Sequence, residues 1–217
     1  MGSVALVFAG GDPPPPHATD GLPVADLIVA ADSGLHHAIA LGYRVDVVVG
    51  DLDSADPAAL DAAVASGASI VRHPEAKDAT DLDLALDVAR REGCNRVIVV
   101  GGHGGRLDHF VANILLLASP RLARIDVEAR VGDARVFVVR TRCELTGRPG
   151  DVCTLLPLGG PALGVRTENL RFPLRGETLD AGSTRGVSNQ LLSSSASVAL
   201  DAGVLLAILP PSEGTTS

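Results

Sequence analysis

Four times within residues 27–109 the chain runs a short apolar segment into a polar loop that carries aspartate. Leu27-Ile28-Val29-Ala30 leads to Asp32-Ser33-Gly34, and the run 45–49 leads to Gly50-Asp51-Leu52-Asp53-Ser54. Ser69-Ile70-Val71 precedes Asp78-Ala79-Thr80-Asp81. Val97-Ile98-Val99-Val100 enters Gly101-Gly102-His103-Gly104-Gly105-Arg106-Leu107-Asp108-His109. Near-continuous apolar runs of this length are what strands buried on both faces require. With 4–8 and 125–129, the chain offers six such strands in its first part. Helix-period stretches separate them: 33–41, then Asp56 as N-cap with Pro57 at the first position and a run to 66, then 80–92, then 107–118 closed by Pro120. In the third helix Leu82, Ala85, Leu86 and Ala89 fall on one face. This alternation predicts an α/β sheet with mostly parallel strands.

After residue 131 the helical periods stop. Strand-like runs at 135–141, 151–156, 164–165, 177–179, 197–200 and 204–209 are separated by turn clusters such as Gly147-Arg148-Pro149-Gly150. That texture predicts a small antiparallel β domain over 132–217, behind an α/β domain over 1–131.

Composition excludes several function classes. The net charge is −8, with no basic stripe, which argues against nucleic acid as a partner. A phosphate-bearing ligand would have to arrive with a cation. No apolar run approaches the ~18 residues that span a membrane. The start lacks a basic segment and a long apolar one, so no signal peptide is expected. Cys94, Cys143 and Cys153 show no CxxC spacing and read as reduced thiols of a cytoplasmic protein.

In open α/β sheets ligands bind outside the carboxyl ends of the strands, where all four acidic loops lie. Asp51 and Asp53, two residues apart, share one side of an extended backbone. At about 4 Å and an effective dielectric near 20 they repel by about 4 kcal/mol, so a cation between them is favoured. Carboxylate oxygens suit Mg²⁺. A turn followed by a helix cap is the competing reading of this pair. Capping and dipole compensation compete likewise for Asp78, Thr80 and Asp81. The glycine-rich loop lets backbone N–H groups approach phosphate, and Arg106 offers a bidentate partner. A surface pair between Arg106 and Asp108 is the alternative there. GxGxxG spacing is absent. The single lysine, Lys77, follows Ala76, so no P-loop exists. His36 and His37, being adjacent, point their rings to different helix faces and form no zinc spacing.

The ordered set Asp32-Ser33-Gly34, Gly50-Asp51-Leu52-Asp53-Ser54, Lys77-Asp78-Ala79-Thr80-Asp81, Gly104-Gly105-Arg106-Leu107-Asp108-His109 and Gly186-Val187-Ser188-Asn189-Gln190 resembles the thiamine pyrophosphokinase family. The resemblance implies transfer of pyrophosphate from ATP to the thiamine hydroxyl, giving AMP and thiamine diphosphate, with Mg²⁺ and ATP as co-substrate. It implies a Rossmann-like, mostly parallel sheet with helices on both faces, followed by a β-sandwich-like domain. It also implies a cytoplasmic homodimer with the thiamine site at the subunit interface. Carried over to this chain, Asp51, Asp53 and Asp81 are metal-site carboxylates, and Asp108 joins them as a catalytic acid. Asp32, Ser54, Asp78, Thr80, Arg106 and His109 are binding residues for the nucleotide or reacting groups. Ser188 and Asn189 resemble the pair that contacts thiamine. Two other classes stay open from the residues alone: an Mg²⁺-dependent phosphohydrolase with Asp51 as nucleophile, and a non-catalytic nucleotide-sensing module.

Overall fold

The structure, a computed structural model, describes residues 2–73 and 79–211. The chain divides into two compact units, Met1–Asp133 and Ala134–Ser217.

The first unit carries strands β1 (Val4–Ala9), β2 (Leu27–Ala31), β3 (Val47–Gly50), β4 (Ser69–Arg72), β5 (Arg96–Gly101) and β6 (Asp126–Val131). Helices α1 (Gly34–Ala40), α2 (Pro57–Ala65), α3 (Asp81–Arg91) and α4 (Leu107–Leu117) alternate with them. The strand order is β6-β5-β1-β2-β3-β4, and every pairing is parallel. The α/β expectation is therefore met. Period-two alternation sorts the side chains. Leu6, Phe8, Ala30, Val48, Ile98 and Val100 join Leu35 and Ala38 of α1 in one buried cluster. Helix α3 buries Leu82, Ala85, Leu86 and Ala89. Full burial of a leucine such as Leu86 contributes about 2 kcal/mol.

Two caps set helix starts beside the sheet edge. The Asp56 carboxylate accepts from Ala58 N at 3.2 Å, and Pro57 opens α2. Thr80 Oγ1 accepts from Asp83 N at 3.3 Å at the start of α3. The chain winds outward from β1 through β2, β3 and β4, then returns to place β5 on the other side of β1. The reversal at β1 and β5 is the topological switch point, and it opens a crevice at the carboxyl ends of the strands.

The second unit is all β. Strands β7 (Ala134–Val139), β9 (Val152–Pro157), β12 (Asn189–Gln190) and β14 (Leu205–Leu209) pair in the order β12-β9-β14-β7, all antiparallel. Strands β8 (Arg142–Thr146), β10 (Ala162–Glu168), β11 (Arg175–Leu179) and β13 (Ser195–Ala199) form a second antiparallel sheet in the order β11-β10-β13-β8. Val139, Leu155 and Leu205 from one sheet share a buried cluster with Leu145, Val165, Leu179 and Val198 from the other. That is a sandwich.

The single strand expected over 135–141 ends at Val139, and β8 begins separately at Arg142. Its segment, Arg-Cys-Glu-Leu-Thr, buries only Leu145, so its apolar signal is weak. Strand β10 reaches beyond the expected 164–165 because its outer positions are the charged Arg166 and Glu168.

Candidate active site

A cleft of about 400 Å³ lies at the switch point. Its walls come from the loops after β1, β2, β3 and β5 and from the first turns of α3 and α4. Asp32, Ser54, Asp51, Asp53, Thr80, Asp81, Arg106 and His109 all line it.

Asp32, Asp51 and Asp53 bring carboxylate oxygens within 4.8 Å of one another. The route differs from an extended strand. Strand β3 stops at Gly50, and Leu52 takes φ 64, which turns its side chain into the core cluster. With Leu52 inside, both flanking aspartates face the cleft. The loop is fastened locally: Asp53 N donates to Asp51 Oδ1 at 3.3 Å, and Ser54 Oγ donates to Asp53 Oδ1 at 3.0 Å. Such Asx geometry is why aspartate suits a tight turn.

Asp32 stands at the centre of the acidic group. It holds φ 46, its N–H donates to Val49 O at 2.8 Å, and its Oδ1 is buried with no hydrogen-bond partner among the described residues. Burial pushes its carboxyl above the usual range, and the charges of Asp81, Asp51 and Asp53 push the same way. A buried, unpaired carboxylate oxygen among like charges is costly unless a cation neutralises it. The donor set is all oxygen, so it fits a hard divalent ion such as Mg²⁺. Asp81 reaches the group past Gly50. A β-carbon at Gly50 would lie 3.1 Å from Asp81 Oδ1 and 3.2 Å from Asp32 Cβ, and φ there is 151. Glycine is what lets the two acids approach.

Arg106 and Asp108 pair at the rim of the cleft. Nε donates to Oδ1 at 3.1 Å and Nη2 to Oδ2 at 2.5 Å, and both residues are exposed. The Arg106 guanidinium holds the Asp108 carboxyl down at about 2. Arg106 lines the cleft; Asp108 does not. Asp78 lies outside the described residues.

Ser188 and Asn189 belong to the second unit. Asn189 is buried, and its carboxamide is committed locally: Oδ1 accepts from Phe172 N at 2.9 Å, and Nδ2 donates to Phe172 O at 2.8 Å. Ser188 is exposed at φ 57, with its N–H donating to Thr154 Oγ1 at 3.1 Å.

The cleft also uses residues that sequence reasoning did not place in it, Gly10, Gly11, Phe110 and Asn113, along with Ser33 and His103 from loops expected at the ligand edge but given no role there. Gly10-Gly11 directly after the apolar run of β1 was a usable signal, since it repeats the strand-then-glycine pattern of β5. Among the described residues, His36 and His37 join no metal-ligating cluster. His37 Nδ1 lies 2.9 Å from Ala9 O, and His36 Nε2 accepts from Asp56 N at 3.0 Å.

Comparison with known proteins adds an independent line. The chain is 29% identical over 181 residues to thiamine pyrophosphokinase 1 of Oryza sativa subsp. japonica, covering 78% of this chain and 66% of that protein. It is 28% identical over 142 residues to the thiamine pyrophosphokinase of Bacillus subtilis (strain 168), covering 61% and 63%. The chain thus spans about two thirds of the length of these curated relatives. A crystal structure of thiamine pyrophosphokinase from Bacillus subtilis superposes with a TM-score of 0.83 at 24% identity, over 97% of this chain and 99% of that one. The Candida albicans thiamin pyrophosphokinase gives 0.77 at 15% identity, over 96% and 89%. These structures share the fold. The family model for the thiamin pyrophosphokinase catalytic domain matches residues 21–129, and that for the thiamin pyrophosphokinase vitamin B1 binding domain matches residues 139–205. Since the first of these matches already covers half the chain and the second follows it in order, the chain belongs to the thiamin pyrophosphokinase family.

Proposed function

We propose that the protein transfers the pyrophosphoryl group of ATP to the hydroxyl of thiamine, giving thiamine diphosphate and AMP. The observation that carries this reading is the buried, unpartnered Asp32 oxygen facing Asp51, Asp53 and Asp81 at the switch point, across from the glycine-rich loop.

In this proposal Asp32, Asp51 and Asp53 hold Mg²⁺, and Asp81 adds charge beside them. The bound ion supplies neutralisation of the negative charge on the polyphosphate. Arg106, His109 and Thr80 contact the nucleotide from the other walls of the cleft. The thiamine hydroxyl oxygen forms a bond to the β-phosphorus, in line with the bond that breaks to the α–β bridging oxygen. AMP leaves with that oxygen, and the hydroxyl proton is released. The chain's part is to bind, align and exclude water, which is where most catalysis of such transfers arises. An acidic cleft also suits a cationic thiazolium. The resemblance extends the proposal to a cytoplasmic homodimer in which Ser188 serves thiamine, with Asn189 bracing the segment beside it through Phe172.

The test is one assay. Protein with ATP, Mg²⁺ and thiamine should release AMP and form thiamine diphosphate in equal amounts, and release no AMP without thiamine. Formation of ADP, or of free phosphate in the absence of thiamine, rejects the reading and favours a phosphohydrolase.

A further inference from the structure

Helix α4 has the sequence Leu-Asp-His-Phe-Val-Ala-Asn-Ile-Leu-Leu-Leu. Between Phe110 and Leu117 the only polar side chain is Asn113. Asparagine is a poor helix former, and a half-buried carboxamide is costly unless it is hydrogen-bonded. The surroundings favour an apolar residue: Asn113 borders a small cavity otherwise lined by groups such as Leu82, Val99, Phe110 and Leu117. It also lines the acidic cleft, on the helix face shared with His109 and Phe110.

The carboxamide has one partner of consequence. Asn113 Nδ2 donates to the Gly102 carbonyl at 3.2 Å. Gly102 opens a loop in which Gly101, Gly102, Gly104 and Gly105 all have positive φ, between 61 and 92. Its glycines bring no side chains to pack, so beyond the half-buried His103 its conformation leans on hydrogen bonds. Three consecutive peptide units are each tied once. Gly102 N–H donates to Gly10 O at 3.0 Å, the Gly102 carbonyl takes the Asn113 bond, and the His103 carbonyl accepts from Asp12 N at 2.8 Å. Two of these ties are backbone to backbone; Asn113 makes the side-chain one. Beyond them, the N–H groups of His103, Gly104 and Gly105 have no acceptor among the described residues. Successive unpaired N–H groups, two of them at the positive-φ glycines Gly104 and Gly105, are suited to an anion.

We infer that Asn113 is a positioning residue for the nucleotide: its hydrogen bond to the Gly102 carbonyl keeps the glycine loop in the conformation that leaves its N–H groups open to phosphate. This inference rests on the ATP reading above. It assigns Asn113 no contact with the reacting atoms. Its loss lowers affinity for the phosphates and leaves the chemical step and the thiamine side unaffected.

The experiment compares wild type with Asn113→Asp, Asn113→Leu and Asn113→His. Aspartate has the shape of asparagine but presents an oxygen to the Gly102 carbonyl. Leucine removes the donor. Histidine can place Nδ1–H where the amide was. Binding of Mg·ATP without thiamine is read by calorimetry, folding by thermal melting, and turnover by AMP release. The Asp and Leu variants should weaken Mg·ATP binding and raise the ATP KM by about tenfold, the scale of one lost hydrogen bond to the loop. Their kcat and thiamine KM should stay within about twofold, and the His variant should recover most of the affinity. Wild type that binds no Mg·ATP overturns the ATP reading itself. Wild type that binds, with Asp and Leu variants binding equally well, overturns the role of Asn113 alone. So does a loss in which kcat and the melting temperature fall, both KM values rise together and His fails to rescue.

Discussion

Arg106 grips Asp108 through two nitrogens, at 3.1 Å and 2.5 Å, on the rim of a cleft whose opposite wall carries the clustered carboxylates. The pair has a pH signature. The Asp108 carboxyl sits at about 2, below its ordinary 3.8, because Arg106 hydrogen-bonds its charged form. A depressed acid contributes its stabilisation above the unfolded value and loses it as pH falls through the folded one. The pair should therefore persist at every pH above 3.8 and dissolve only as pH approaches 2. An NMR titration of the Asp108 carboxyl carbon should show a midpoint near 2 in wild type and a return toward 3.8 in Arg106→Ala. An unmoved midpoint would refute the pairing. In the same series, Arg106→Lys keeps the charge but loses the planar fork, and should raise the ATP KM by about tenfold.

Asp32→Asn should separate stability from function. The wild-type carboxyl is pushed up by burial first and, against a hydrogen bond from the Ser33 backbone, by its acidic neighbours, so its ionised form weakens the fold without a cation. The penalty is absent below 3.8 and appears as pH rises through the folded value. At neutral pH and without divalent ions, the Asn variant should melt higher than wild type, and the gain should vanish in strong acid. With Mg²⁺ the order should reverse, since the variant lacks one oxygen of the cluster. Turnover should fall by about 100-fold or more, as when a charge-stabilising group is removed. A variant that melts like wild type with and without Mg²⁺ would remove Asp32 from the cation site.

The sheet was legible because buried parallel strands and helical periods leave strong, separate patterns; Leu82, Ala85, Leu86 and Ala89 needed only spacing to be placed. The site was legible to the extent that its acids stand at strand ends. The route by which they meet was not. Asp51 and Asp53 share a side because Leu52 turns inward at φ 64, not because β3 stays extended. The inclusion of Asp32 in the tightest carboxylate group depends on the lateral neighbourhood of β2 and β3, which local sequence does not encode. Asn113 carried only a faint signal, one amide in an apolar helix. In the second unit the pattern weakened because strands with one solvated face, such as β8, keep few apolar residues.

Gly50→Ala should damage fold and site together. The new β-carbon would sit 3.1 Å from Asp81 Oδ1 and 3.2 Å from Asp32 Cβ, at a φ of 151 that side chains rarely adopt. Strain of about 1–3 kcal/mol is expected, which for a chain of this size lowers the melting temperature by several degrees. Activity should fall further than stability, because Asp32 and Asp81 must separate. Wild-type turnover in a folded Ala variant would show that their approach has no part in the site.

Two helix caps offer a matched comparison. Thr80→Ala and Asp56→Ala each delete a cap whose loss costs about 1 kcal/mol, or roughly 2–4 °C in melting temperature. Only Thr80 lines the cleft. The Thr80 variant should therefore also raise the ATP KM severalfold, while Asp56→Ala melts earlier with unchanged KM values. Equal KM values for both variants would reduce Thr80 to a cap.

Ser188 and Asn189, adjacent in sequence, should respond in opposite ways. The Asn189 carboxamide satisfies both the N–H and the carbonyl of Phe172. Asn189→Ala strands those two groups in a partly buried place and should cost about 1–3 kcal/mol, seen as an earlier melt before any substrate is added. Ser188 is exposed, and its backbone N–H, not its hydroxyl, makes the bond to Thr154. Ser188→Ala should melt like wild type, yet raise the thiamine KM more than the ATP KM. If Ser188→Ala leaves both KM values unchanged, its hydroxyl does not serve thiamine. If Asn189→Ala melts like wild type while its thiamine KM rises, the amide binds substrate and is not a clamp on Phe172.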